Sequence, residues 1–113
     1  MGRDTPGEFE QIVLLALAGQ EGEGTGRMVY EAIKKETGRE RSVAAVHITL
    51  GRLVDKGWAE CTTLVHDPVR GGKPRRRYSL SPAGAVTLKR LRGQLDRLWE
   101  RATRNPLLGD GPP

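Results

Sequence analysis

Residues 69–78, with the sequence VRGGKPRRRY, constrain the fold more than any other part of the chain. They contain five cationic side chains, two adjacent glycines and a proline, and the apolar Leu80 follows shortly after them. Glycines allow such a loop to take positive φ angles and to approach another surface closely. The segment therefore predicts the tip and return strand of a basic β-hairpin that faces a phosphate backbone, with an ordinary solvated loop as the alternative.

The composition limits the remaining possibilities. A chain of 113 residues is the size of one domain, and 19 Lys and Arg against 14 Asp and Glu give a net charge of +5. The excess equals the cations of residues 70–77, so the basicity is local. The single Cys61 excludes an intramolecular disulfide and is expected to be a small buried thiol. No metal-ligand spacing, membrane-length apolar run or signal peptide is present, so we expect a cytoplasmic protein without a metal or cofactor.

Residues 8–18 form the first predicted helix, which carries apolar side chains on almost every side. Such a helix is surrounded by neighbours, so some of its contacts are expected to come from another subunit. Residues 19–26 then contain four spaced glycines among acidic side chains. They follow a helix instead of a strand, and the acids would repel phosphates. A plain loop is therefore favoured over a dinucleotide site.

Two shorter helices follow, each with a predicted N-terminal cap. Thr25 begins a helix that runs to about residue 36 and stops at Gly38. Ser42 begins a third helix over residues 43–56, which is closed by Gly57. The helical period of about 100° per residue gives the third helix one apolar, buried side. That side consists of Val43, Val46, Leu50, Leu53 and Val54.

The opposite side of the third helix is unusual for a solvated surface, because it is small and apolar and carries no acid before Asp55. Small side chains let a helix enter the major groove, where apolar groups contact thymine methyls and arginine reaches guanine or phosphate. The residues of this side are Ala44, Ala45, Ile48 and Arg52, with Thr49 at the margin. His47 lies at the boundary and is expected to pack or hydrogen-bond. The alternative is a helix covered by another part of the protein.

Residues 58–65 and 75–80 are the two predicted strands of the hairpin. Alternation on the return strand places Tyr78 and Leu80 against the helices, and it places Arg75 and Arg77 on the exposed side. His66 and Asp67 lie in the connecting loop.

Ser81 and Pro82 then predict the start of a helix that runs to about residue 104. Its leucines recur at alternating steps of three and four, with Trp99 beside them. The members of this seam are Leu88, Leu91, Leu95, Leu98 and Ala102. A helix of this length exceeds what a small core needs, so it predicts a subunit contact, with an intramolecular core helix as the alternative. Residues 105–113 are expected to form a frayed tail.

Three fragments together resemble the PadR-type winged helix-turn-helix transcription regulators of the short kind, without a large C-terminal effector domain. They are GEFEQIVLLAL at residues 7–17, SVAAVHITLGRL at residues 42–53 and RGGKPRRRYSLSPAG at residues 70–84. The resemblance covers residues 7 to about 100. The family usually has tyrosine at the position of His47, and histidine keeps a hydrogen-bonding ring with a shorter reach.

The resemblance implies a mainly α fold with a three-helix core, a two-stranded wing and a long C-terminal dimerisation helix. The implied divisions are a flexible arm (1–7), a DNA-binding domain (8–81), a dimerisation helix (82–104) and a disordered tail (105–113). The implied function is that of a homodimeric regulator, commonly a repressor, that binds a pseudo-palindromic operator on double-stranded DNA. Some members accept a flat aromatic effector between the subunits, which makes Trp99 a candidate for such a pocket, with plain packing of Trp99 in the dimer contact as the alternative. A winged-helix module for protein association remains the alternative, and no residue set is spaced for an enzyme.

Site residues follow from the patterns and the resemblance together. The expected DNA-binding residues are Arg41, Ser42, Ala44, Ala45, His47, Ile48, Thr49, Arg52, Arg70, Gly71, Gly72, Lys73, Arg75 and Arg77. The expected dimer contacts are Phe9, Ile12, Val13, Leu88, Leu91, Leu95, Leu98 and Trp99.

Overall fold

The computed structural model of the chain describes residues 5–63 and 76–109. Within these residues, three helices precede a two-stranded antiparallel sheet and a longer helix follows it. The elements are α1 (Glu8–Ala18), α2 (Gly26–Thr37), α3 (Val43–Asp55), β1 (Ala59–Thr63), β2 (Arg76–Leu80), α4 (Pro82–Ala102) and a 3₁₀ helix (Pro106–Leu108). The predicted fold class, mainly α with a small β-sheet, is confirmed.

The three predicted N-terminal caps are present. The side-chain oxygens of Thr25, Ser42 and Ser81 accept hydrogen bonds from the backbone N–H three residues later, at 3.2, 2.9 and 3.0 Å. Each bond satisfies an N–H group that has no partner inside its helix. Gly38 and Gly57 follow α2 and α3 with φ angles of +74° and +82°, so both helices end where the sequence places a residue that tolerates this conformation.

Several predicted bounds were wrong by one or two residues. α2 extends to Thr37, α3 ends at Asp55 with Lys56 as its cap, and α4 ends at Ala102 instead of residue 104. The first strand begins at Ala59, because residues 56–58 form the turn out of α3. The predicted ends of the strands at residues 65 and 75 lie outside the described residues.

The core joins α1, α2 and α3 with the base of the sheet. Its fully or almost fully buried members include three of the five residues predicted for the buried side of α3, namely Val46, Leu50 and Leu53. The buried members together are Val13, Leu14, Leu17, Val29, Ile33, Val46, Leu50, Leu53, Trp58, Ala59 and Tyr78. Val43 and Val54 are only half-buried. The predicted arm also contributes, since Pro6 is buried and its carbonyl accepts a hydrogen bond from the Gln11 side chain at 2.9 Å.

The glycine-rich loop before α2 takes part in the sheet. The N–H of Gly24 donates to the Tyr78 carbonyl at 2.9 Å, and the N–H of Tyr78 donates back to the Gly24 carbonyl at 2.8 Å. Tyr78 also pairs with Cys61 on β1, so β2 has a neighbour on each side. The expectation that Cys61 is buried was wrong: Glu60, Cys61 and Thr62 are all exposed, because β1 leaves the core after Ala59.

α4 is attached to the core by its first half. The Ser81 hydroxyl donates to the Gly57 carbonyl at 2.6 Å, and the Ser81 N–H donates to the Trp58 carbonyl at 3.1 Å. Gly84 packs directly on the same Trp58 carbonyl, where a Cβ atom would overlap the oxygen. Beyond Leu91, the large apolar residues of α4 are exposed. Among the described helices, none is both long and apolar enough to cross a membrane.

Candidate nucleic-acid interface

The outer side of α3 is exposed to solvent, as predicted. Ala44, His47 and Arg52 are exposed, Ala45 is half-buried, and Ile48 is 59% exposed. No described element covers this side. A face with small residues, one projecting isoleucine and one arginine has the size and chemistry to enter a major groove.

Thr49 does not lie at the exposed margin of α3, so the expectation of a base contact there was wrong. It is only 5% exposed, and its hydroxyl donates to the Ala45 carbonyl at 2.9 Å. The hydroxyl is therefore already satisfied within the helix, on the side that packs against the core.

His47 packs on the first residue of α2. A Cβ atom built on Gly26 would lie only 2.7 Å from both ring nitrogens of His47. Gly26 therefore leaves the space that the imidazole occupies, and the ring stays exposed at the junction of α2 and α3. The sequence indicated that His47 packs or hydrogen-bonds but not that it contacts Gly26, because this contact depends on how the two helices cross.

The wing is described only at its base. On β2, Tyr78 is buried and Leu80 is half-buried, which confirms the predicted inward side. Arg77, expected on the outer side, is half-buried, and Arg76 is exposed. The predicted contacts Arg70, Gly71, Gly72, Lys73 and Arg75 lie outside the described residues.

Three cations that flank α3 converge on the first turn of α1. The guanidinium of Arg39 donates to both carboxylate oxygens of Glu8, at 3.3 and 3.0 Å. The guanidinium carbon of Arg41 lies 4.3 Å from the centre of the Phe9 ring. At the other end of α3, the Lys56 ammonium donates to Glu10 at 2.8 Å.

This cluster gives Arg41 and Phe9 a contact with each other that the sequence patterns did not predict, whereas Ser42 has the capping role that they did predict. Arg41, expected to contact DNA, stacks on Phe9, which was expected to contact a second subunit. Ser42 caps α3 through its side chain. Sequence reasoning missed the cluster because its members are 31 and 46 residues apart in the ion pairs.

The cluster also lowers the pKa values of two carboxyl groups, those of Glu8 and Glu10. The hydrogen bond from Arg39, and then its charge, lower the pKa of Glu8. Partial burial of Glu10 acts to raise its pKa, but the hydrogen bonds from Lys56 and the Gly7 N–H, with the charges of Lys56 and Arg52, outweigh it and lower the pKa. Both carboxylates are therefore charged near neutral pH.

The expected dimer contacts divide into two groups. Val13 was wrongly expected to face a partner, because it is completely buried in the core of its own chain. Leu91 is also buried, and Phe9, Ile12 and Leu88 are half-buried against the same core. Leu95, Leu98 and Trp99 are 48%, 62% and 56% exposed, and they form an apolar stripe on the second half of α4.

A groove of about 480 Å³ between α1 and α4 continues this stripe. Its α1 wall consists of Gln11 and Leu15, and Leu15 is 57% exposed. Lys89 and Arg92 also line the groove. Leu15 was not among the expected contacts, although the surplus of apolar residues on the first helix pointed to an exposed member.

The fold is shared with several solved regulators. A PadR-like transcription factor from Bacteroides fragilis matches with a TM-score of 0.72 and 19% identity, over 85% of this chain and 87% of that one. A PadR-like transcriptional regulator from Bacillus cereus matches with a TM-score of 0.67 and 18% identity, over 90% and 93%. The chain has the PadR-like winged-helix fold.

PadR of Bacillus subtilis, solved in complex with operator DNA, has the same fold with a TM-score of 0.62 and 20% identity. The alignment covers 74% of this chain but only 46% of the Bacillus subtilis protein, so the chain spans about half of its length. By sequence, the chain matches no protein-family model and is significantly similar to no curated protein. None of the three structures is named as an enzyme.

Proposed function

We propose that this PadR-like chain is a sequence-specific DNA-binding transcription regulator that acts as a homodimer. The observation that carries the proposal is the outer side of α3, which is exposed, small and without an acid before Asp55 although it belongs to a helix with a side-chain cap. Support also comes from the operator DNA bound by Bacillus subtilis PadR, which shares the fold.

In the proposed complex, α3 lies in the major groove and the wing contacts phosphates. Ala44 and Ile48 offer apolar contacts to thymine methyls, and Arg52 reaches guanine or phosphate. Arg77, with the cations of residues 70–75, supplies charge that is independent of sequence. The wing would therefore account for most of the salt dependence, and α3 for the base preference.

The proposed dimer contact is the exposed stripe of α4 together with Leu15. α4 has 21 residues, so it is about 32 Å long, and only its first half is buried in its own chain. Pairing of the second halves would cover Leu95, Leu98 and Trp99. Two copies of α3 would then enter successive major grooves of a pseudo-palindromic operator, about 34 Å apart.

We also propose that the protein represses transcription and is released from its operator by a flat aromatic effector. Supporting features are the apolar groove between α1 and α4 and the exposed Trp99 on its wall. A ligand that stacks on this indole would change its fluorescence, and Trp99→Phe provides the control because Trp58 is buried and remains. A repressor would lower expression from a reporter fused to its operator, and the effector would restore it.

Selection from random duplexes tests the proposed specificity. The protein is expected to recover a two-fold symmetric motif whose half-sites are about one helical turn apart. The alternative, a winged-helix module for protein association, predicts no enrichment of any motif. Ile48→Ala and Arg52→Ala should change the recovered bases, whereas a surface change on α4 such as Arg101→Ala should leave the motif unchanged.

A further inference from the structure

The two arginines before α3, Arg39 and Arg41, make different contacts with the first turn of α1. Glu8 neutralises Arg39 through two hydrogen bonds, at 3.3 and 3.0 Å. The guanidinium carbon of Arg41 lies over the Phe9 ring, 4.3 Å from the ring centre, and this contact supplies no carboxylate to the guanidinium. One arginine is thus paired with an acid, and its near neighbour is oriented without losing its charge.

We propose that Glu8 competes with DNA phosphate for Arg39 and thereby limits the affinity of the protein for unrelated DNA. The inference rests on the proposed DNA-binding function and adds a specificity-determining residue outside α3 and the wing. Arg39 lies in the segment that joins α2 to α3, immediately before the recognition helix. In a helix-turn-helix complex, the N-terminal end of that helix points towards the bases, so the cations preceding it lie near the backbone.

The Glu8–Arg39 pair has the properties of an exchangeable contact. Its side chains are 41% exposed for Arg39 and 74% exposed for Glu8, so water reaches both ions. Exposed pairs of this kind are weak, and a phosphate can replace the carboxylate as the acceptor of the same bidentate hydrogen bonds. Any gain from the phosphate is reduced by the cost of separating Arg39 from Glu8.

The Glu10–Lys56 pair differs and does not serve as a competitor. Glu10 is only 14% exposed, it also accepts a hydrogen bond from the Gly7 N–H at 2.9 Å, and Lys56 lies near the Trp58 ring. The contacts with Gly7 and Trp58 make this ion pair a structural link between α1 and the end of α3. Glu8, in contrast, is held by Arg39 at the exposed edge.

A double-mutant cycle tests the competition. Fluorescence anisotropy would measure the affinity for an unrelated duplex from low to high salt in the wild type, Glu8→Gln, Arg39→Gln and the double variant. Glu8→Gln should bind about three to five times more tightly at low salt, as expected for the loss of a weak pair. Its salt slope should steepen by about 0.9, as expected for one added phosphate contact. The gain should vanish when Arg39 is also replaced.

Glu100→Gln is the charge-matched control, because it also removes one exposed carboxylate, near the end of α4, and Glu100 does not line the groove between α1 and α4. It should leave the affinity and the slope unchanged, with an unchanged mass by light scattering. An equal gain in Glu100→Gln, or a Glu8→Gln gain that persists without Arg39, would show a general effect of net charge and overturn the inference.

The selected operator duplex separates this inference from the proposed function. Glu8→Gln should tighten binding to the operator less than binding to unrelated DNA, so the ratio of the two affinities should fall. If the wild type binds the operator but Glu8→Gln changes neither affinity, only the role of Glu8 is refuted. If the wild type binds no DNA at any salt concentration, the proposed function fails and this inference fails with it.

Discussion

Gly84 and Gly51 show that the same residue type serves different purposes in two helices. A Cβ atom at Gly84 would overlap the Trp58 carbonyl oxygen, whereas a Cβ at Gly51 would meet nothing within 4 Å. Backbone cannot move aside as a side chain can, so Gly84→Ala should lower the free energy of unfolding by about 2 kcal/mol or more. Gly51→Ala should raise it by about 0.5–1 kcal/mol, because alanine is the better helix former. Urea unfolding of both variants checks the contrast, and equal effects would contradict it.

The lowered pKa of Glu10 predicts that the folded protein loses stability at acidic pH. The pKa of Glu10 is lower in the folded protein than the ordinary value of 4.5. The stabilisation is therefore complete above pH 4.5 and is lost as the pH falls through the folded pKa. Glu10→Gln should be about 0.5 kcal/mol less stable than the wild type at pH 7, a value reduced for the partial exposure of the pair.

Urea midpoints measured at pH 7 and at a series of pH values below 4.5 test this effect. The difference in midpoint between Glu10→Gln and the wild type should shrink steadily as the pH falls below 4.5, and it should stay constant between pH 6 and 8. A difference that grows as the pH falls would show that the charge of Glu10 is not what stabilises the contact.

Local chemistry decided which residues could be identified from the sequence. Thr25, Ser42 and Ser81 were predicted as caps because a cap needs only its own side chain and a backbone N–H three residues away. The burial of Thr49 could not be predicted in this way, because it depends on how α3 packs against the rest of the core. The stacking of Arg41 on Phe9 likewise requires two segments that only the tertiary fold brings together.

At the scale of elements, the first half of α4 packs on the core and its second half carries the proposed dimer contact. Leu95→Glu places a charge in the centre of the exposed stripe and should convert the proposed dimer into monomers, because an unpaired charge is costly to bury. Val86→Glu is the control: Val86 is 63% exposed and lies nine residues before Leu95, which is half a turn away around the helix. Multi-angle light scattering should find a monomer for the first variant and a dimer for the second.

The helices were easier to predict than the sheet. Each of the four α-helices was indicated by the period of its own apolar residues or by its cap, and the errors at the helix ends were at most two residues. The bridge between Gly24 and Tyr78 joins residues from distant parts of the sequence, and no local pattern distinguishes it from an ordinary loop. The heptad seam of α4 stays a prediction of a subunit contact. Leu91 in its first half is buried in its own chain, whereas Leu95 and Leu98 are exposed, since the sequence does not reveal how far the core covers the helix.

At the scale of the whole molecule, the wing is proposed to supply most of the salt-dependent affinity for DNA, and α3 is proposed to supply the base preference. Arg77→Ala should weaken binding to all duplexes alike and flatten the salt slope by about 0.9, because one phosphate contact is lost. Arg52→Ala should instead reduce the preference for the selected operator. Measuring both variants on operator and unrelated duplexes tests the division, and an operator-specific loss in Arg77→Ala would contradict it.

Sequence-specific DNA binding is most directly tested by competition. A labelled operator duplex is bound by the wild-type protein at several salt concentrations, and unlabelled operator or unrelated duplex of the same length is added. We expect unrelated DNA to require at least about a thousandfold higher concentration to displace the label, as is typical of specific regulators. Displacement by both competitors at the same concentration, or no binding at any salt concentration, would contradict the proposed function.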